Sequence, residues 1–415
     1  MANENNDATK NSTNKTDNPE KLLEKLLEEE PVPAPFISLY LDARVDEHGR
    51  RNLLPFVRKQ LNERAKTYEN HTLEQESFAN DSERILEYVE NEIPTTARGV
   101  AVFACSANSD YFLAGEFDVP FEKNRLFVAD RPQVYPLARI IDQYRSFAVL
   151  LADTNRARIF VFATGRTVEE QTVENEKTSH SRVGGWSQAR YQRHEENYHL
   201  RHVKEVVDIL EQTVREENIE QVILAGDEET VIPLIRDQLP PALSEKVIEA
   251  LSLGIDTPEH ELLEESLEAF RRHDAVTDQE KVERLLNEFR ADDLGAAGVV
   301  DTLAALSNGQ VEELLIVAAP DKLVFDEEEV KSVLKVYEPD RDLSAELDQR
   351  TVADELVRRA NQLSAAHVTF IEDHTQLEQV GGVGALLRYR ISPENAAAGT
   401  GRSSSSPAKT LTTQA

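Results

Sequence analysis

The chain has 415 residues, with 77 Asp and Glu against 46 Lys and Arg and a formal net charge of −31. This acidity excludes a protein that coats nucleic acid through diffuse positive charge, but it leaves room for one local basic site. The single cysteine, Cys105, excludes an internal disulfide and a zinc site built on cysteines. No apolar run reaches the roughly 18 residues of a membrane span, so we expect a cytoplasmic protein without a membrane partner.

Short β-rich runs alternate with helical patterns between two polar ends, which predicts an α/β protein with three consecutive α/β domains. Residues 1–25 and 396–415 are predicted to be disordered tails, because polar segments bury too little surface to offset the entropy of ordering. We assign the N-terminal domain to residues 31–135, the middle domain to 136–270 and the C-terminal domain to 271–395.

In the N-terminal domain, the alternating pattern of Phe36–Asp42 predicts a strand. Two amphipathic helices are predicted to follow, at 53–68 and 78–91. Gly99–Cys105 and Tyr111–Phe117 then have the composition of a strand pair.

The middle domain opens with two apolar runs, 147–153 and 157–163, which a short polar turn separates, so they predict a hairpin. The polar stretch 165–185 carries too few apolar residues to pack much core. A long helix is predicted over 187–217, and a buried strand over 221–225. The helix has apolar residues at spacings of three and four, which indicate one buried face. These residues are Leu200, Val203, Val207, Leu210 and Val214.

A highly charged helix at 257–290 is predicted to connect the middle and C-terminal domains. The next predicted helix, 294–306, ends at Ser307-Asn308-Gly309, a sequence typical of a helix C-terminus. The remaining predicted elements are strands at Val311–Val317, 367–372 and 386–391 and a helix at 353–364.

Positive charge is concentrated in one segment, residues 177–204, which has six Lys and Arg, two Glu and a net charge of +4. A basic loop and helix on an acidic protein favour phosphate binding. A solvated helix face that balances acidic neighbours explains the same charges equally well. Under the first reading, the RNA-binding residues are Arg182, Arg190, Arg193, His194, Arg201 and Lys204.

Four residues lie at or just before the start of the predicted long helix. Gly184 and Gly185 permit positive φ and a close backbone approach to a ligand, and amide groups at the helix start would face an anion or an ester carbonyl. Trp186, the only tryptophan, has little core to enter on this polar loop and is a candidate for stacking on a base. Capping of the helix is the simple structural role for Ser187.

Residues 182–204 resemble the loop and helix of the class-1 release factors of archaea and eukaryotes, in which a basic loop presents Gly-Gly-Gln. Similar segments follow at 221–226, 238–243, 298–317 and 378–390, so the resemblance covers roughly residues 140–391. The matching loop and helix positions are Gly184, Gly185, Ser187, Arg190, Tyr191, Arg193, Tyr198 and Val203.

The resemblance implies that the C-terminal domain is an L30-like α/β sandwich. It also implies the ribosome as partner, with contacts to rRNA and peptidyl-tRNA, and delivery by a translational GTPase. The chain departs from the family at Trp186, which replaces the glutamine, and it lacks the Asn-Ile-Lys-Ser motif of stop-codon decoding. This pattern fits the bacterial and archaeal release-factor-like families and is also related to Pelota, which lacks the Gly-Gly-Gln tip.

Two functions remain open, and both place Gly184, Gly185, Trp186, Ser187 and Gln188 at the peptidyl-transferase centre. In the first, which the missing glutamine favours, the protein occupies the ribosomal A site without catalysis, in rescue or hibernation, and does not decode stop codons. In the second, it promotes hydrolysis of the peptidyl-tRNA ester, with Gln188 orienting water and a loop amide stabilising the oxyanion.

The histidines of this segment do not form a recognised metal motif. His194 and His199 are five residues apart instead of the four of a zincin, so they lie on different helix faces. His199 and His202 are three apart, and we expect them to be exposed or to face phosphate, because two ligands do not make a site. No phosphate loop or dinucleotide motif is present, and neither a cofactor nor a metal is predicted.

Overall fold

The computed structural model describes residues 14–16, 18–45, 48–69, 72–163, 166–174, 188–341, 343–344, 346–373 and 375–390, with the backbone only for 14–16, 166–168, 174 and 188–198. It contains three β-sheets, each packed against helices, which confirms the predicted α/β class. None of the helices in these ranges is both long enough and apolar enough to cross a membrane.

The N-terminal sheet has the strand order β1-β4-β3-β2-β5. Its strands are β1 Asn14–Thr16, β2 Phe36–Asp42, β3 Gly99–Cys105, β4 Tyr111–Phe117 and β5 Arg125–Ala129. Its helices are α1 Pro19–Leu27, α2 Leu54–Ala65 and α3 Leu73–Asn91. The predicted strands β2, β3 and β4 are confirmed, and neighbours among them pair antiparallel. Helix α3 begins five residues earlier than predicted, because the Thr72 side chain caps it by accepting a hydrogen bond from the Gln75 amide.

The predicted N-terminal tail is wrong over its last residues. Strand β1 pairs in parallel with β4, and α1 is capped by Asn18, whose side chain accepts a hydrogen bond from the Lys21 amide at 2.9 Å. Leu22 and Leu26 lie one helical turn apart and are fully buried. The apolar face of α1 therefore gains enough burial to order a segment whose local composition is polar.

The middle sheet has the strand order β10-β9-β6-β7-β8. Its strands are β6 Phe147–Ala152, β7 Arg156–Ala163, β8 Arg166–Glu174, β9 Gln221–Gly226 and β10 Val247–Ser252. Its helices are α5 Gln188–Glu216, α6 Val231–Arg236 and α7 Pro241–Ser244. The predicted hairpin is confirmed as β6 and β7. Part of the polar stretch 165–185 forms the edge strand β8, where polar side chains are common because one edge faces solvent.

The C-terminal sheet has the strand order β11-β14-β12-β13. Its strands are β11 Gly295–Ala297, β12 Val311–Val317, β13 His367–Ile371 and β14 Val383–Leu387. Its helices are α9 Val299–Ser307, α10 Glu327–Tyr337, α11 Gln349–Arg359 with a π-helical turn at Ala360–Ser364, and α12 Thr375–Glu378. The helix predicted from residue 294 begins only at Val299, because residues 295–297 pair with β14 and Gly298 has φ +86°. The last strand, β14, begins three residues before the predicted strand at 386–391.

Two further helices, α4 Tyr135–Gln143 and α8 Glu259–Arg290, join the domains. The first half of α8 packs on the middle sheet through Leu262 and Phe270, and its second half enters the C-terminal core through Leu285. The domain boundary predicted between residues 270 and 271 therefore falls inside one continuous helix. The other predicted boundaries stay predictions.

Candidate RNA-binding helix

Helix α5 confirms the long helix predicted from apolar spacing. Its 29 residues span about 44 Å at 1.5 Å per residue. From residue 203 onwards one face is buried against the middle sheet, which holds the helix in place on the domain. The buried residues of this face are Val203, Val206, Val207, Leu210 and Val214.

The basic residues of α5 occupy a different face. At 100° per residue, the Cα positions of Arg190, Arg193, Arg201 and Lys204 fall within an arc of about 80°, which we call the basic stripe. The side chains of Arg201 and Lys204 are exposed. The stripe is therefore a property of the continuous helix, not of sequence proximity alone.

Charge along α5 changes sign after the stripe. Residues 188–204 have a net charge of +2, whereas 205–216 have a net charge of −3. The partial positive charge at the N-terminus of a helix adds to the positive half. An anion is therefore favoured at the end of α5 that begins at Gln188.

His199 and His202 lie where α5 meets the β6–β7 hairpin. The His199 Nδ1 atom is 2.9 Å from the Thr154 carbonyl oxygen in the hairpin turn. His202 is 1% exposed, and neither ring nitrogen has a hydrogen-bond partner among the described residues. Burial lowers the pKa of His202, so the imidazole is neutral near pH 7. The expectation that this pair is exposed or faces phosphate is wrong for His202, because the packing of α5 on the middle domain buries its ring.

Other predicted site residues have less structural information. Gln188 is the first residue of α5, and Arg190, Arg193 and His194 are helical, with only their backbone described. Four predicted site residues of the loop and one basic residue lie outside the described residues. They are Gly184, Gly185, Trp186, Ser187 and Arg182.

A second polar site, between α4 and α8, was not predicted. Arg145 Nη2 lies 3.2 Å from Asp274 Oδ2, and the Arg145 guanidinium stands over the Phe270 ring at 5.5 Å from its centroid. The spacing of Asp142 and Arg145 indicates a local ion pair. Nothing in the sequence indicates its connection to Asp274, which is 129 residues away.

Comparison with known proteins finds two adjacent matches. Residues 132–271 match the sequence profile described as bacterial archaeo-eukaryotic release factor family 10, and residues 275–391 match domain 3 of eRF1. The predicted resemblance to release-factor-like proteins is therefore confirmed over the middle and C-terminal parts of the chain.

Individual relatives are distant. The chain is 23% identical over 285 residues to the eukaryotic peptide chain release factor subunit 1 of Schizosaccharomyces pombe, which covers 61% of this chain and 66% of that protein. It is 26% identical over 195 residues to the Pelota homolog of Pyrococcus furiosus, which covers 45% and 48%. The structure of archaeal Pelota bound to the ribosome with ABCE1 has 14% identity and a TM-score of 0.39, covering 91% and 96%. The chain thus spans less than two thirds of both curated relatives.

Proposed function

We propose that this protein is a release-factor-like translation factor that binds the ribosomal A site, in ribosome rescue or hibernation. The basic stripe of α5 contacts rRNA backbone and directs the preceding Gly-Gly-Trp loop towards the peptidyl-transferase centre. The observation that carries the proposal is the alignment of four basic positions along one side of α5, away from the face that is buried from residue 203 onwards.

The charge distribution supports a directed contact with RNA. The protein as a whole has a net charge of −31, so most of its surface repels RNA. Approach is favourable only when the basic segment faces the RNA. An aligned row of cations binds phosphate groups favourably, because each neutralised phosphate releases counterions. The acidic remainder therefore orients the protein, and the stripe supplies the attraction.

The sequence at the loop favours a role without hydrolysis, and the missing Asn-Ile-Lys-Ser motif favours a role without stop-codon decoding. Trp186 stands where the related release factors have a catalytic glutamine, and a tryptophan stacks on a base without activating water. The resemblance extends the proposal to two partners, peptidyl-tRNA and a translational GTPase.

Hydrolysis of peptidyl-tRNA is a second candidate, and the position of Gln188 favours it. As the first residue of α5, Gln188 lies where the helix has free backbone amides and partial positive charge. These amides would stabilise the oxyanion of an ester under attack, while the Gln188 amide side chain would orient the water.

Ribosome binding is tested by reversing charge on the stripe. We expect the triple variant Arg190→Glu, Arg193→Glu, Arg201→Glu to lose cosedimentation with ribosomes. A control with the same charge change, Arg236→Glu, Arg284→Glu, Arg290→Glu, replaces exposed arginines outside α5 and should cosediment like the wild type. Equal binding of the stripe variant and the wild type would refute the assignment.

The two candidate functions are separated by peptide release from stalled ribosome complexes. Binding without release supports the non-hydrolytic factor. Release that falls at least tenfold in Gln188→Ala, with unchanged cosedimentation, supports the hydrolytic one.

A further inference from the structure

A cavity of about 850 Å³ lies between the end of α4, the middle of α8 and the C-terminal strand β13. It occupies the place where the chain passes between the middle domain and the rest of the molecule. Phe270, Val276 and Val282 contribute apolar wall, and Val276 is 61% exposed. The cavity is therefore open to solvent and large enough for a small organic molecule.

One buried carboxylate in the cavity wall is incompletely satisfied. Asp142 is 8% exposed, and its Oδ2 accepts a hydrogen bond of 3.0 Å from the Phe370 amide. Its Oδ1 is buried without a hydrogen bond from any described residue, and the nearest cation, Arg145 Nε, is 3.6 Å away. That separation exceeds a normal hydrogen bond. A buried carboxylate oxygen in this state favours a further donor from a ligand.

A second carboxylate, that of Asp278, lines the same cavity, where the charges of Lys281 and Arg145 only partly offset its burial. Burial, followed by the negative charges of Asp142 and Asp274, raises the pKa of Asp278 to about 7. The Asp278 carboxyl is therefore harder to ionise than an ordinary aspartate, and burial raises the pKa values of Asp142 and Asp274 as well.

The neighbouring cations are already engaged. Arg139 pairs with Glu122 and Glu372, and Lys281 pairs with Glu313 at 2.7 Å. Arg145 is shared between Asp142 and Asp274. The single positive charge of Arg145 therefore does not balance the three carboxylates of Asp142, Asp274 and Asp278. The titratable and charged groups facing this cluster are Arg139, Asp142 and Arg145 on or just after α4, His273, Asp274, Asp278 and Lys281 on α8, Glu313 on β12, His367 on β13 and Glu372 after it.

We propose that this cavity binds an aliphatic ammonium cation, with Asp142 and Asp278 receiving its N–H groups and Phe270 and Val282 packing on its methylene chain. Three ammonium protons match acceptor-only carboxylates. A single metal ion fits less well, because no three His, Cys, Asp or Glu side chains of the described chain lie close enough together to hold one.

Binding of the cation is coupled to a proton. An ammonium group favours ionised Asp278, so occupation of the cavity releases the proton that part of the free protein carries. Affinity therefore increases with pH across the value of about 7. Since the ionised fraction of such a group rises about tenfold from pH 6 to pH 8, the affinity rises by about the same factor.

Titration calorimetry of the full chain with spermidine in 150 mM KCl tests the proposal. We expect about tenfold tighter binding at pH 8 than at pH 6, with proton release. Asp278→Asn should weaken binding about tenfold at pH 8 and reduce the pH dependence. The control Glu280→Gln, which removes an exposed carboxylate two residues away on α8, should bind like the wild type.

A parallel titration with tetralysine identifies the source of the ammonium group. Binding of spermidine alone indicates a free polyamine, and binding of tetralysine alone or of both indicates a lysine side chain from a partner. Equal affinity of the wild type and Asp278→Asn, equal affinity at pH 6 and pH 8, or no binding of either probe would overturn the proposal. Because ribosomes are absent, these results are independent of the proposed function.

Discussion

The N-terminal and C-terminal domains are joined to each other through a shared buried core, whereas two helices connect the middle domain to them. Buried polar contacts cross between the first two: Arg358, 1% exposed, donates to the Pro132 carbonyl at 2.6 Å, and Asp354 accepts from the Tyr135 amide at 2.9 Å. One continuous hydrophobic cluster runs through both domains. The middle domain has its own clusters and joins the others through α4 and α8, beside an open cavity.

The junction of the outer domains is strongly charged as well as buried. Burial opposes ionisation of Glu355, but Arg131, Arg341 and Arg359 outweigh it and lower its pKa to about 2. Arg131 comes from the N-terminal side and Arg341 from the C-terminal side, so the cluster connects two domains. The N-terminal and C-terminal domains thus share one hydrophobic core, whereas the middle domain, which carries the basic stripe, has cores of its own.

The buried junction is expected to respond most strongly. Arg358 Nε lies 3.9 Å from Asp354 Oδ2. Arg358→Leu removes this buried cation, so we expect the free energy of unfolding to fall by about 3–5 kcal/mol. The comparison variant, Arg145→Gln, removes a half-buried charged contact beside the open cavity and should cost only about 1–2 kcal/mol. Urea unfolding of both variants measures the difference. Similar losses would mean that the two junctions are equally strong.

A smaller effect is expected in the middle domain, for the proposed binding of RNA to the basic stripe. With about 0.7 ion released per phosphate on single-stranded RNA, four contacts give a log–log salt slope near −3 and about a 50-fold loss of affinity from 50 to 200 mM salt. Filter binding to an rRNA fragment measures the slope. Arg190→Gln with Arg193→Gln should reduce the slope by about half, and an unchanged slope would contradict the stripe.

The weakest response is expected from His202, which is buried where α5 packs on the middle domain. The pKa of His202 is lowered in the folded protein, so the unfolded chain binds a proton more readily, and stability is lost as pH falls below about 6.5. His202→Leu should add about 1 kcal/mol at pH 7, because the buried ring nitrogens have no partners in the described structure. It should also reduce the loss between pH 6.5 and 5.5, by up to about 1 kcal/mol. Thermal unfolding across this range measures both, and an identical pH profile for variant and wild type would contradict a neutral, unpaired His202.

Local patterns predicted much of the middle domain. The hairpin of β6 and β7 and the buried face of α5 follow from the spacing of apolar residues, because each element buries one side that its own sequence marks. The same reasoning failed for α1, where only the leucines that meet the shared core outweigh the polar composition. It also failed for His202, since a histidine in a basic segment resembles a ligand for phosphate until its neighbours are known.

Composition and periodicity were enough to predict the α/β class, the order of most strands, the long helix and the single positive segment, because each of these patterns lies within one short stretch of chain. The burial of His202, the bond from Arg358 to Pro132 across 226 residues, and the cavity that Asp142 and Asp278 both line became apparent only in the folded molecule. These features depend on where distant segments cross. Their free energy comes from desolvation and from pairing between groups that no local pattern connects.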